Sequence, residues 1–134
     1  MKFTVLFSLL FISLFSCVRE QENPVVQSEK TALVAAVKYI DGPTLRTKIT
    51  NGEDLQIIDV RTPAEFSTGA IPSAINLNIR KADFRDQLQA LDRSKPTVVY
   101  CQAGGRSARA AKLMRSMGFQ ELYDLKGGMN AIQK

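Results

Sequence analysis

The segment that most constrains the fold joins a short apolar run directly to a cysteine, a glycine-rich turn and an amphipathic stretch. Residues 98–100 are β-branched or aromatic, which predicts a buried strand. Apolar residues recur at helical spacing across residues 107–117, and Gly118 is a natural helix end. Cys101 and residues 102–106 therefore lie where a strand ends and a helix begins.

This position gives the thiol of Cys101 an unusual environment. The first amides of a helix have no partners within the helix, and the helix dipole adds positive potential there. Ala103, Gly104 and Gly105 have little or no side chain, so the backbone can curl and turn its N–H groups inward. With Arg106 close by, we expect an anion cradle that lowers the pKa of the thiol. For the cysteine alone, the alternative is a small buried apolar residue, which is a common role.

The rest of the chain alternates strand patterns with helix patterns. Strands are predicted at residues 37–40, 55–60, 74–77, 98–100 and 122–125, and helices from Pro43, from Pro63, over 82–91 and over 107–117. Such alternation predicts an α/β fold with a parallel sheet and helices on both faces. Ligands of such sheets bind at the carboxyl ends of the strands, which is where Cys101 is expected.

Three stretches resemble the single-domain rhodaneses, a family of thiosulfate sulfurtransferases. Residues 101–107 (Cys-Gln-Ala-Gly-Gly-Arg-Ser) are similar to the active-site loop of that family. Residues 59–66, continuing through 69–76, are similar to its first signature, and residues 125–131 are similar to its closing signature. The resemblance covers residues 37–134. It implies a single rhodanese-like domain with a small, mostly parallel sheet.

The resemblance also implies a site and a chemistry. Cys101 would be the catalytic nucleophile and would take up a sulfane sulfur as a persulfide. The implied substrate-binding residues are the rest of the loop, Gln102, Ala103, Gly104, Gly105, Arg106 and Ser107. The implied partners are a small sulfur-donor anion, thiosulfate or a polysulfide, and an acceptor that is cyanide or a thiol, free or on a protein. We expect no cofactor and no metal, because a thiol of lowered pKa supplies its own nucleophile.

Charged residues near the loop are expected to support it. Asp59 ends a predicted central strand, where its carboxylate can accept from loop amides and pair with Arg61. Thr62 and Glu65 have the spacing of a capping box at the start of a short helix. Arg106 either contacts the substrate anion directly or forms an ion pair with Asp59 or Glu65 that holds the loop. Arg109, one turn further along the helix, is expected to be solvated.

Two other functions use a similar architecture. The loops of cysteine-dependent phosphatases and arsenate reductases have one residue more between Cys and Arg than the four found between Cys101 and Arg106. The shorter ring suits a sulfur atom better than a tetrahedral phosphate. A persulfide carrier without turnover, or a protein-docking module of the same fold, is the main alternative to an enzyme. A steady-state assay with cyanide would separate a carrier from an enzyme.

The chain departs from the family pattern at three positions. The family usually has His where this chain has Ala70, Gly where it has Ser73, and Trp where it has Ile132. The first two positions lie in a scaffold segment, so we expect them to affect stability more than chemistry. At Ile132 the loss of the larger side chain is expected to reduce one wall of the pocket.

The N-terminal segment indicates export. Residues 3–15 form an almost unbroken apolar run, typical of a signal peptide and too short to span a membrane comfortably. Ser16-Cys17 resembles a bacterial lipoprotein box, which implies cleavage after residue 16 and a lipid on Cys17. Residues 17–36 are mostly polar and predict a tether. The protein would then be held in a bacterial cell envelope by a lipid anchor, facing the periplasm or another extracytoplasmic space. An ordinary secretory peptide is the alternative. Acylation of Cys17 would leave Cys101 as the sole thiol.

Composition excludes several classes of function. The net charge of +5 is modest and the basic residues are scattered, which argues against a nucleic-acid partner. The chain has no histidine, so it has no histidine general base and no histidine-ligated metal site. Its two cysteines are far apart and form no metal-binding motif. The 134 residues suffice for one domain but not for two, and we expect a monomer.

Overall fold

The computed structural model describes residues 36–133. The predicted signal peptide at residues 1–16, the predicted lipidation site at Cys17, the tether up to residue 35 and Lys134 lie outside the described residues. Within the described part of the chain, no helix is both long enough and apolar enough to cross a membrane.

Within residues 36–133, five strands alternate with five helices. The strands are β1 (Val37–Ile40), β2 (Gln56–Asp59), β3 (Ile75–Asn76), β4 (Thr97–Tyr100) and β5 (Leu122–Leu125). The helices are α1 (Gly42–Thr50), α2 (Pro63–Ser67), α3 (Phe84–Gln89), α4 (Gly105–Ser116) and α5 (Met129–Ile132). The order of strands in the sheet is β1-β5-β4-β2-β3, and all four pairings are parallel. The predicted α/β fold is confirmed, and the sheet is parallel throughout.

The sheet is covered on both faces, as the sequence predicts. On one face α3 and α4 contribute Phe84, Leu88 and Met114 to a core that also contains Cys101. On the other face Leu45 of α1 packs in a second core with Met129, the first residue of α5. Because β4 lies between these two cores, all four of its residues are buried. The central strand therefore delivers Cys101 to the carboxyl edge from a rigid position.

Several predicted boundaries differ from the structure. Helix α4 begins at Gly105, two residues earlier than predicted, because Gly104 adopts a left-handed conformation (φ +103°) and turns the chain directly into the helix. Helix α3 is shorter than the predicted range 82–91, because its flanks form single turns closed by Phe84 N–H to Lys81 O and Leu91 N–H to Leu88 O. Helix α5 was not predicted.

Candidate active site

Cys101 lines an open pocket at the end of β4. Cys101 follows β4 directly, and only 2% of its surface is exposed. The pocket above it is lined by Cys101, Gln102, Ala103, Gly105, Arg106 and Arg109. Cys101 is thus almost completely enclosed by its surroundings and still borders space that a small molecule can enter.

Backbone amides of the loop are directed at this sulfur. The N–H of Gly104 donates to the Sγ atom of Cys101 at 3.1 Å. Burial by itself raises the pKa of the Cys101 thiol, but the amides of Ser107, Ala103 and Gly104 and the Ser107 hydroxyl outweigh it and lower the pKa below its ordinary value. The loop therefore favours the thiolate form of Cys101, which is the nucleophilic form of cysteine.

Residues 128–130, which follow β5, contact the backbone of the active-site loop. Met129 N–H donates to the carbonyl oxygen of Cys101 at 2.9 Å, and Asn130 N–H donates to that of Gln102 at 3.1 Å. The Gln102 amide also donates to the Asn130 side chain at 2.7 Å. A Cβ atom on Gly128 would lie only 2.2 Å from the Cys101 carbonyl oxygen, so only glycine fits there. Sequence analysis matched this segment to the family but gave it no role in the site; the consecutive Gly127 and Gly128 were the available signal.

A buried ion pair contacts the loop through Gln102. Arg61 Nη2 is 2.7 Å from Asp59 Oδ2, and both side chains are almost completely buried. The remaining guanidinium donors of Arg61 reach the Gln102 side chain at 3.1 Å and the Gly69 carbonyl at 2.6 Å. The predicted pairing of Asp59 with Arg61 is found. Through Gln102 this pair is connected to the active-site loop.

A second ion pair joins the loop to α2. Arg106 donates to both carboxylate oxygens of Glu65, at 2.7 and 2.5 Å. Glu65 also completes the predicted capping box with Thr62, since Thr62 N–H donates to Glu65 Oε2 at 3.1 Å and Glu65 N–H donates to Thr62 Oγ1 at 3.3 Å. These donors, Arg106 first, hold the pKa of the Glu65 carboxyl well below its usual range. Of the two carboxylates predicted as alternatives for Arg106, the structure pairs it with Glu65.

The three departures from the family pattern have clear structural positions. Ala70 and Ile132 line the same apolar groove, beside Leu45 and Ile49 of α1. Ser73 is the one non-glycine residue with positive φ among the residues described, at +63°. A glycine would adopt that conformation without strain, which explains why the family prefers glycine there. All three positions lie outside the lining of the cysteine pocket.

Arg109 is exposed, as predicted, but it also contributes to the cysteine pocket, which sequence analysis did not anticipate. Its spacing from Arg106 on one helix was the available signal.

Within residues 36–133, no group of three or more His, Cys, Asp or Glu side chains could hold a metal ion.

The chain is similar to known proteins. The family model described as the rhodanese-like domain matches residues 43–134. A sulfurtransferase of Allochromatium vinosum is 32% identical over 95 residues, which cover 71% of this chain and 87% of that protein. Thiosulfate sulfurtransferase GlpE of Shewanella oneidensis is 36% identical over 85 residues, which cover 63% and 81%. A solved rhodanese-like domain protein from Staphylococcus aureus matches with a TM-score of 0.65 at 28% identity, over 72% of this chain and 91% of that structure.

Proposed function

The chain belongs to the family of rhodanese-like domains, and on that premise we propose that it is a sulfurtransferase with Cys101 as its nucleophile. It moves a sulfane sulfur from thiosulfate or a polysulfide to a thiol or to cyanide. The observation that carries this proposal is that Cys101 lines an open pocket, with loop amides directed at its sulfur and the pKa of its thiol lowered. Relatives named as sulfurtransferases support the same chemistry.

In the first step the Cys101 thiolate attacks the outer sulfur of the donor. A new S–S bond forms to Cys101, and the S–S bond of the donor breaks. With thiosulfate, sulfite leaves with the electron pair of the broken bond, and a persulfide anion remains on Cys101. The amide of Gly104 that donates to the thiolate, and those of Ala103 and Ser107 beside it, stabilise negative charge at this position throughout the step.

In the second step an acceptor thiolate or cyanide attacks the outer sulfur of the persulfide. The acceptor–sulfur bond forms as the persulfide bond breaks, and the Cys101 thiolate leaves with the electron pair. No proton has to be moved at the reacting atoms, so the lack of histidine does not hinder the reaction.

The supporting residues act by fixing the loop. The Asp59–Arg61 pair holds Gln102 from one side, and the Glu65–Arg106 pair ties the first turn of α4 to α2. Preorganised donors stabilise charge without a cost of reorganisation at the moment of reaction, so a rigid loop favours the step.

The test is intact-mass analysis of the full chain with and without thiosulfate, together with a steady-state assay using cyanide. We expect the mass to rise by one sulfur atom on loading, and Cys101→Ser to abolish loading and to lower turnover by about a thousandfold or more. A Cys17→Ser control should load normally. Sulfur transfer at the wild-type rate in Cys101→Ser would refute the proposal.

The same measurements separate an enzyme from a persulfide carrier. A carrier would load sulfur at Cys101 and keep it, with negligible turnover when cyanide is supplied. An enzyme would lose the added sulfur to cyanide and form thiocyanate repeatedly.

We also propose that Cys17 carries a lipid that anchors the protein to the bacterial cell envelope, facing the periplasm. The support is the apolar run of residues 3–15 followed by Ser16-Cys17. Intact-mass analysis of protein extracted from membranes should show a chain that begins at Cys17 and carries acyl groups. An unmodified chain recovered in the soluble fraction would contradict this assignment.

A further inference from the structure

Three arginines lie around the active-site loop, and two of them have carboxylate partners. Arg61 is paired with Asp59, and both side chains are buried. Arg106 donates two hydrogen bonds to Glu65. The charge of each of these guanidinium groups is therefore offset by a carboxylate within hydrogen-bond distance.

Arg109 differs from both. It lies one helical turn beyond Arg106 on α4 and lines the pocket that contains Cys101. It is exposed, and none of the ion pairs found among the described residues involves it. Arg109 is therefore the arginine of this pocket whose charge and donors are available to a bound molecule.

The proposed reaction creates a need for such a charge. A thiolate that attacks an anionic donor brings two negative charges together, and their repulsion slows the encounter. The loop amides neutralise charge at the Cys101 sulfur, but they are directed at that atom and not at the far end of the donor. A cation at the rim of the pocket offsets this repulsion at the end of the donor that the amides do not contact. A guanidinium group suits an oxyanion, because its N–H donors can form paired hydrogen bonds to two oxygens.

We propose that Arg109 binds the anionic end of the sulfur donor and makes the site selective for small donors with an oxyanion group next to the transferred sulfur. Arg106, in contrast, positions the loop through Glu65. This inference rests on the proposed function and adds the class of donor to it. Thiosulfate, whose sulfonate end is separated from the outer sulfur by one bond, has this chemistry, whereas an uncharged organic polysulfide lacks it.

The first experiment measures anion selectivity without sulfur transfer. Cys101 is alkylated with iodoacetate, which is anionic, and with iodoacetamide, which is neutral and of nearly the same shape. We expect Arg109→Ala to lower the iodoacetate rate several-fold and to leave the iodoacetamide rate nearly unchanged. Arg115→Ala is the matched control, because Arg115 is an exposed arginine of the same helix that does not line this pocket.

The second experiment measures the reaction itself. In Arg109→Ala the KM for thiosulfate should rise about tenfold, which is the usual effect of losing one charge-assisted contact. The rate of sulfur loading from an uncharged organic trisulfide should be unchanged. Arg109→Lys should recover part of the loss. Equal iodoacetate-to-iodoacetamide ratios in Arg109→Ala and Arg115→Ala would overturn the inference.

The two experiments also separate this inference from the proposed function. If the wild-type protein fails to load sulfur but its alkylation remains selective through Arg109, the sulfurtransferase proposal fails and the anion site stands. If sulfur transfer proceeds and Arg109→Ala changes neither the ratio nor the KM, the anion site fails and the sulfurtransferase stands.

Discussion

Two buried aspartates lie on the strands that flank β4, the strand that leads into Cys101. Their surroundings differ. Asp59 on β2 is in register with Tyr100 of β4, and Asp124 on β5 is in register with Val99. Their exposed fractions are 0% and 4%. Asp59 alternates with Ile57 and faces the α1 and α5 side of the sheet, whereas Asp124 alternates with Leu122 and faces α4.

The two carboxyl groups have different partners. Asp59 accepts from the backbone N–H, Nε and Nη2 of Arg61, so its negative charge is fully compensated. The Oδ1 atom of Asp124 is buried without a hydrogen-bond partner among the residues described. Burial raises the pKa of the Asp124 carboxyl, and the nearby Ser107 hydroxyl only partly offsets the effect. A buried carboxylate is stable when a countercharge is built in beside it, and only one side of β4 has that countercharge.

The largest test of this comparison removes the compensated carboxylate. Asp59→Ala leaves the Arg61 guanidinium buried without a counterion, so we expect the free energy of unfolding to fall by about 3–5 kcal/mol. Urea-induced unfolding measures the change. Asp54→Ala is the matched control, because Asp54 forms an exposed pair with Lys95, and it should have no measurable effect. A similar small effect for both variants would show that Arg61 does not depend on Asp59.

An intermediate effect is expected at Glu65, which is half-buried and paired with Arg106. Glu65→Ala removes both the helix cap and the ion pair, and should lower the free energy of unfolding by about 1–2 kcal/mol. Because the pKa of Glu65 is lowered in the folded state, its contribution is complete above the ordinary value of 4.5 and is lost as the pH falls below it.

Unfolding curves at a series of pH values measure this dependence. The stability difference between wild type and Glu65→Ala should shrink as the pH falls below about 4.5, the ordinary value for the carboxyl. Glu65→Gln separates the two roles, since glutamine can still cap the helix but carries no charge. If Glu65→Gln is as destabilised as Glu65→Ala, the ion pair with Arg106 dominates; if it resembles wild type, the cap dominates.

The same comparison shows how far the sequence predicts the site. The partnership of Asp59 with Arg61 was foreseen because the two residues are neighbours in the sequence at the end of a recognisable strand. The capping box of Thr62 and Glu65 was foreseen for the same reason, since its geometry depends on local spacing. The strand–loop–helix around Cys101 follows from hydrophobic periodicity and from the positions of glycine.

The contacts that were not foreseen join distant parts of the chain. The choice of Glu65 for Arg106 depends on how α2 packs beside α4, and residues 41 positions apart set it. The hydrogen bonds from Met129 and Asn130 to the loop carbonyls depend on where the chain lies after β5. Asp124 lies in a strand pattern that shows neither its burial nor its lack of a partner. Periodicity identifies elements, whereas these contacts arise only when the elements are assembled.

The smallest and most discriminating test replaces the uncompensated carboxyl. Asp124→Asn keeps the shape of the side chain and removes the charge, so at neutral pH we expect a gain of about 1 kcal/mol in the free energy of unfolding.

The raised pKa of Asp124 sets the sign of the pH dependence. In wild type, ionisation of Asp124 costs more in the folded than in the unfolded state, so stability falls as the pH rises above 3.8, the ordinary value for this carboxyl. The gain in Asp124→Asn should therefore be small near pH 4, grow as the pH rises, and level off once the carboxyl is ionised in the folded state. Asp59→Asn, its counterpart across β4, should be destabilised at neutral pH, because the carboxylate it replaces has a countercharge. If Asp124→Asn is instead destabilised at pH 8, the Asp124 carboxylate has a stabilising partner. The contrast between a compensated and an uncompensated carboxylate on the two sides of β4 would then not hold.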